Sequence, residues 1–267
     1  MSKKLKKIAA DIRKEVVRMH RRGTNVGSAM SAADILAVLY FDVMKIESPD
    51  DPLRDRFVLS KGHAVSALYA ALAHKGFLDR SALSSYLSDG SPLTGHPCAG
   101  GVPGIEVSTG SLGHALPIAV GMAWAARRDG RAYRIFVLMG DGEQQEGTVW
   151  EAANLAARLK LDNLVAVIDA NRLQGYDRTD EIMPVETLAD KWSAFGWAAE
   201  EADGHDVERL REILRRAPFS AGRPSVVVAH TIKGKGVAEM EDKLGWHYFS
   251  VPEGKVQPFC EELDAPE

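Results

Sequence analysis

Two cysteines, Cys98 and Cys260, are all that 267 residues contain. They give no disulfide framework, which excludes a fold held by covalent cross-links and leaves a reducing, cytoplasmic setting as the expectation. No apolar run approaches ~18 residues, so no membrane-spanning helix is expected, and no secretion signal precedes the first helical segment. A strong charge of one sign is also missing. The formal net charge is −4, which gives no bulk electrostatic reason for a nucleic-acid partner. Internal repeats, low-complexity tracts and inter-domain linkers are absent too, so residues 1–267 read as one domain. At 45% hydrophobic and 26% charged, the composition is that of a soluble globular protein. The basic start (Lys3, Lys4, Lys6, Lys7, Arg13, Lys14) alternates with Leu5, Ile8, Ile12 and Val16 at helical spacing. It reads as the solvated face of an amphipathic helix.

What the chain does have is a pair of apolar runs that stop at carboxylates and amides. One is Ile135-Phe-Val-Leu-Met-Gly-Asp-Gly-Glu-Gln-Gln-Glu-Gly147; the other is Leu164-Val-Ala-Val-Ile-Asp-Ala-Asn-Arg-Leu-Gln-Gly175. Uninterrupted β-formers predict strands buried on both faces of a parallel sheet. Residues 148–159, between the runs, carry apolar residues at helical spacing, with room for about three turns. Strand, helix, strand is a crossover that brings both strand ends to one edge. Asp141 and Asn171 then face the crevice outside the carboxyl ends of the strands, where open α/β sheets bind ligands. A carboxylate, an amide oxygen and a backbone carbonyl just beyond Asn171 suit Mg²⁺ or Ca²⁺ shared with a phosphorylated ligand. Gly140 and Gly142 let the backbone approach that ligand closely.

The rest of the pattern fits an α/β fold, a mostly parallel sheet with helices on both faces. A helix is predicted over residues 3–22, closed by Gly23, followed by a loop over residues 24–27. Ser31-Ala-Ala-Asp34 resembles a capping box opening a helix to about Met44. A short strand from Arg56 runs into Lys61-Gly62-His63 and a helix to about Lys75. The Gly-, Pro- and Ser-rich stretch over residues 88–113 reads as an ordered binding loop. A helix over 114–128 follows it. Tyr176 to Pro184 reads as an irregular polar loop, Trp197 to Glu201 as a strand, and 206–215 as a helix opened by Asp206. Strand Ser225 to His230 leads into Thr231-Ile-Lys-Gly-Lys-Gly236, which lacks Walker spacing but suits contact with an anion. The tail over 252–267 has little pattern and is expected to pack loosely.

Taken in order, six pieces resemble the transketolase family over about residues 8–247. They are Leu59-Ser-Lys-Gly-His63, Gly95-His-Pro97, Ser108-Thr-Gly-Ser-Leu-Gly113, the Gly140–Gly147 stretch, Asp169-Ala-Asn-Arg-Leu-Gln174, and Lys233-Gly-Lys-Gly236 with Trp246-His247. The resemblance implies the thiamine diphosphate-binding fold and, within it, the domain that holds the cofactor's diphosphate. It implies Mg²⁺ or Ca²⁺ on Asp141, Asn171 and the Leu173 carbonyl. His63 and His247 would approach the diphosphate and the reacting carbons, while Gly110, Leu112 and Gly142 line the cofactor. His96 would contact a hydroxyl of the ketose donor, and Glu146 would sit at a subunit interface. The implied activity moves a two-carbon ketol group from a ketose to an aldehyde. The cofactor serves as electron sink and neutral imidazoles serve as proton relays. In the family, the glutamate that activates the aminopyrimidine lies in a second, pyrimidine-binding domain. The resemblance here is therefore to the N-terminal half of a split transketolase. A C-terminal partner subunit is expected to complete it, as a heterotetramer of two of each.

Some positions depart from the family pattern. Asn25 stands where a substrate-facing His is expected; an amide can hydrogen-bond but cannot relay a proton. Gly113-His114-Ala115 replaces Gly-Gln-Gly, and Tyr248 replaces Gly after His247. Asp169-Ala-Asn171 replaces a frequent Asp-Asn-Asn while keeping the metal position. These changes fall partly on the substrate side and imply a donor or acceptor other than the pentose phosphates. His114 reads either as a relocated imidazole or as drift at a packing position. Two other functions compete: acyl transfer from pyruvate or another 2-oxo acid, and a non-catalytic partner subunit. The first would release carbon dioxide from pyruvate. The second has no need of Asp141, Asn171, His63, His96 and His247. His20, His74, His205 and His230 read as surface or structural.

Overall fold

The computed structural model describes residues 1–183 and 187–265. Five strands form one sheet: β1 (Arg56–Leu59), β2 (Ile135–Gly140), β3 (Leu164–Ala170), β4 (Ala198–Asp203) and β5 (Ser225–His230). Their order is β1-β2-β3-β5-β4 and every adjacent pair is parallel. Successive side chains enter opposite layers, as the pleat demands. Phe136, Leu138, Val165 and Val167 pack with α1 (Ser2–Met19), α3 (Ala33–Val38), α4 (Val65–Lys75) and α9 (Val207–Arg215). Ile135, Val137, Met139, Ala166 and Ile168 pack with α5 (Ala115–Arg128), α6 (Gly147–Arg158) and α8 (Leu188–Ala194). Two covered faces explain why β2, and β3 up to Asp169, are apolar at every step rather than at alternate steps.

Register places the functional segments. Gly140 lies opposite Asp169, so Asp141 and Asn171 step off the same edge of the sheet. Leu59 lies opposite Leu138, which brings Ser60 to His63 to that edge, and His230 lies opposite Ala170, which brings the Thr231–Gly236 turn.

Four local expectations are revised. The first helix stops at Met19, and α2 (Val26–Ser31) begins inside the stretch read as a loop, with Asn25 left-handed at its head (φ 70°). Ser31 and Asp34 form no capping box. Ser31 closes α2 and donates to Ser28 O (3.1 Å) and to the Asp169 carboxylate (2.7 Å), while Asp34 is taken by Arg13 and His205. Partners from distant segments outcompete the local cap. The polar loop after Tyr176 contains a short helix, α7 (Thr179–Ile182), and its expected end at Pro184 lies outside the described residues. The tail does not lie loose: α10 (Glu253–Glu262) buries Phe259 and Cys260 and packs on α1. Among the described residues no helix is long and apolar enough to cross a membrane.

Candidate active site

A cleft of about 260 Å³ opens at the carboxyl ends of the strands. His63, Asp141, Asn171, Leu173, Lys233 and His247 line it, with Leu112, Gly142 and Glu146 contributing to its wall. Segments as far apart in sequence as Ser28 and His247 thus meet, largely because four parallel strands end at one edge.

Asp141 is only 3% exposed. Burial and the nearby charge of Asp169 push its carboxyl above the usual value, against the N–H groups of Arg172 (2.6 Å) and Gly142 (2.8 Å) that donate to it. Asn171 accepts from Leu173 N–H (3.1 Å) and donates to Ser31 Oγ (3.4 Å), and the Leu173 carbonyl accepts from Lys233 Nζ (3.1 Å). Among the described residues no group of three His, Cys, Asp or Glu is arranged to hold a metal. A cation here would have one carboxylate, one amide oxygen and one backbone carbonyl to draw on, a hard-oxygen set that would leave positions for a ligand's phosphate. The undercompensated charge on Asp141 fits that reading. Gly142, also in the wall, packs close to Gln174, whose side chain a Cβ there would meet at 2.8 Å.

Two lysines supply positive charge beneath the cleft. Lys61, 1% exposed, pairs with Asp169 and donates to Ser28 O (3.0 Å). Burial opposes the charge on Asp169, yet Lys61 together with the hydroxyls of Thr231 and Ser31 outweighs it and holds the carboxyl below its usual value. Lys233 donates to Leu173 O (3.1 Å), Gln174 O (3.4 Å) and His247 Nδ1 (3.1 Å). Burial and the charge of Lys61 bring its ammonium down to about 8.

The two cleft imidazoles stand 5.8 Å apart. Burial and then Lys61 hold His63 well below its usual value, and burial with Lys233 brings His247 to about 4. Both are therefore neutral at pH 7. Because Lys233 donates to Nδ1 of His247, that ring carries its proton on Nε2. His63 Nε2 meets Ser28 Oγ at 3.0 Å.

One buried carboxylate was not legible as a site residue. Glu143 accepts from Ser60 Oγ, from Gly113 N–H (2.7 Å) and from Gly140 N–H (3.1 Å), tying the ends of β1 and β2 to the loop before α5. Lys61 was visible only as part of a motif and Lys233 only as part of a basic turn. The usable signal in all three is a charged residue within a few positions of a buried strand.

The family model of the transketolase thiamine diphosphate-binding domain matches residues 5–263. The chain belongs to the transketolase family. It is 46% identical over 236 residues to an apulose-4-phosphate transketolase subunit from Phocaeicola vulgatus, covering 88% of this chain and 83% of that one. It is 42% identical over 242 residues to the 6-deoxy-6-sulfo-D-fructose transketolase subunit SqwG of a Clostridium species, covering 90% and 88%. The solved transketolase of Leishmania mexicana superposes with a TM-score of 0.89 at 31% identity over 97% of this chain, which spans 41% of that protein.

Other transketolase-type positions lie outside or at the margin of the cleft. His96 is exposed and packs on Gly110, where a Cβ would meet its ring at 3.0 Å; Gly110 in turn abuts Gly62 beside His63. Asn25 turns its side chain to Thr24 (3.1 Å), while its backbone N–H donates to His247 O (2.9 Å). His114 is exposed ahead of α5, its Nδ1 near Leu112 O (3.0 Å) and Ser111 Oγ (3.2 Å). Glu146 is exposed on the rim just before α6.

Proposed function

We propose that this chain is the diphosphate-binding subunit of a two-chain thiamine diphosphate-dependent transferase. It moves a two-carbon ketol group from a ketose to an aldehyde and works in the cytoplasm. The observation that carries this reading is the shared cleft itself: three hard-oxygen donors, two buried lysines and two neutral imidazoles converge at one sheet edge. Asp141, Asn171 and the Leu173 carbonyl would hold Mg²⁺, or Ca²⁺, against the diphosphate, and Lys61 and Lys233 would offset the remaining negative charge. The bound cofactor supplies an electron sink that lets a carbon–carbon bond beside a ketone break. Of the chain's own groups, His247 offers an Nε2–H and His63 a neutral ring for holding or passing a proton at the substrate oxygens, with His96 and Gly110 behind them.

Two relatives are named as transketolase subunits, which supports a partner chain carrying the pyrimidine-binding domain, in a complex of two of each. Their names specify an apulose phosphate and a sulfofructose rather than xylulose or ribose 5-phosphate, which supports a specialised donor or acceptor. Calorimetry of the copurified complex with thiamine diphosphate tests the site. Binding should require Mg²⁺ or Ca²⁺, and Asp141→Asn should weaken it by on the order of 100-fold, the size of a lost metal ligand or its support. Metal-independent binding, or binding that Asp141→Asn leaves intact, overturns the assignment.

A further inference from the structure

We infer that Gln174 is a further cofactor-binding residue, whose side-chain amide donates a hydrogen bond to an oxygen of the diphosphate. This inference rests on the thiamine diphosphate site proposed above.

The residue is fixed in the wall of the cleft. Its backbone N–H donates to Asp177 O (2.9 Å) and its carbonyl accepts from Lys233 Nζ (3.4 Å), so the root of the side chain is tied on both sides. It follows Leu173 directly in the chain and lines the cleft together with Asp141, Gly142 and Asn171. The side chain lies over Gly142: a Cβ built there would meet Gln174 Cγ and Cδ at 2.8 Å and Oε1 at 3.2 Å. Gly142 is not one of the glycines with positive φ. What it provides is room for this side chain, not an unusual backbone.

The amide itself is uncommitted. Gln174 Nε2 is buried and has no hydrogen-bond partner. Among the described residues lining the cleft, no other has a buried side-chain polar atom in that state. The neighbouring donors are engaged: Lys233 Nζ with two carbonyls and His247, Lys61 Nζ with Ser28 O and Asp169, the Asn171 amide with Ser31 Oγ. A buried donor left unpaired costs stability, and native folds keep few of them. The terminal torsion of a glutamine is soft. With neither end of the amide bonded among the described residues, the group is free to turn its NH₂ toward a ligand. Diphosphate oxygens accept and do not donate, so they select that end of the amide. Lys61 and Lys233, beneath the same cleft, favour an anion there. An anion so placed supplies the partner that the chain itself does not.

The test is calorimetry on the complex with its partner, in Mg²⁺, using two ligands: thiamine diphosphate, and inorganic pyrophosphate, which is the diphosphate alone. Gln174→Met keeps the length of the side chain and removes the donor. It should weaken both ligands by about tenfold, the scale of one hydrogen bond to a charged group. Gln174→Ala, which also gives up the contact with Gly142, should weaken both at least as much. Gln174→Glu sets a carboxylate against the phosphate oxygens and should bind both more weakly than either of the other variants. Wild-type affinity in both the methionine and alanine variants overturns the inference. A loss confined to thiamine diphosphate also overturns it, since the amide would then touch another part of the cofactor. Binding by Gln174→Glu as tight as the wild type overturns it too, by making the residue an oxygen ligand of the cation. A wild-type complex that binds neither ligand overturns the proposed function, and this inference falls with it.

Discussion

Lys233 concentrates the chemistry of the cleft into one side chain. It is 1% exposed and its three hydrogen bonds go to two carbonyls and to His247 Nδ1. Replacing it by methionine removes the charge that helps depress His247 and the bond that fixes its tautomer. Burial, the larger cause of the depression, remains. Lys233→Met should therefore raise the His247 pKa from about 4 only part of the way toward 6.5, visible in the NMR titration of its ring. The acid limb of kcat/KM should move up with it, and kcat/KM at pH 7 should fall by about 100-fold, as for other losses in proton transfer. His20 makes a separate prediction about stability. It is fully buried, its Nε2 meets Ser66 Oγ at 2.8 Å, and burial lowers it to about 4. Between pH 6.5 and about 4 the unfolded chain binds a proton that the folded chain refuses, so stability falls as pH falls through that window and is unaffected above it. The wild type should lose about 2 kcal/mol from this group between pH 7 and pH 5. His20→Gln should flatten that loss in urea titrations, and an equal loss in the variant would assign it elsewhere.

At the scale of elements, Asp34 on α3 is where four pieces are tied together. Arg13 on α1 pairs with it and donates Nε to Met30 O (3.1 Å). His205, before α9, meets it at 2.8 Å and accepts from Ile232 N–H (2.8 Å) in the turn after β5. Asp34→Ala would leave the Arg13 guanidinium buried without its partner, so unfolding stability should drop by about 3–5 kcal/mol. Arg13→Met combined with Asp34→Leu should recover most of that in the same urea measurement. Networks of this kind also mark where the sequence stopped being readable. The strands β2, β3 and β5 were legible because continuous apolar runs have one simple home, a sheet covered on both faces. The edge strand β4 (Ala198–Asp203), half-exposed and acidic, was legible only in part. Asp141 and Asn171 were legible because they follow such runs immediately. Lys61, Glu143 and the true partners of Ser31 and Asp34 were not. By residue type a lysine or glutamate belongs outside, and Lys61 finds Asp169 across 108 positions, Ser60 finds Glu143 across 83. Sheet order was closed to sequence for the same reason, since register is set between strands and not within one.

At the scale of the whole molecule, the cleft accounts for one end of a cofactor. Of its carboxylates, Asp141 is held by the N–H groups of Arg172 and Gly142 and Glu143 is spent on three donors, which leaves Glu146 exposed on the rim. Among the exposed apolar residues are Ile118 and Trp124 on α5 and Leu155 on α6, two helices that pack on one another. Grouped exposed apolar residues mark association surfaces. The expectation is that the chain alone turns over nothing and that adding its copurified partner restores activity at one-to-one stoichiometry, with sedimentation giving two of each. Trp124→Glu places a charge in that patch. It should shift the sedimenting species to smaller mass and lower activity at dilute protein, while the circular dichroism of the isolated chain stays that of the wild type. Glu146→Gln should leave the assembled mass unchanged and lower kcat by at least about tenfold, since it alters a rim carboxylate and not the packing. Full turnover by the isolated chain would remove the need for a partner, and a Trp124→Glu variant that assembles as the wild type does would move the partner to another face of the domain.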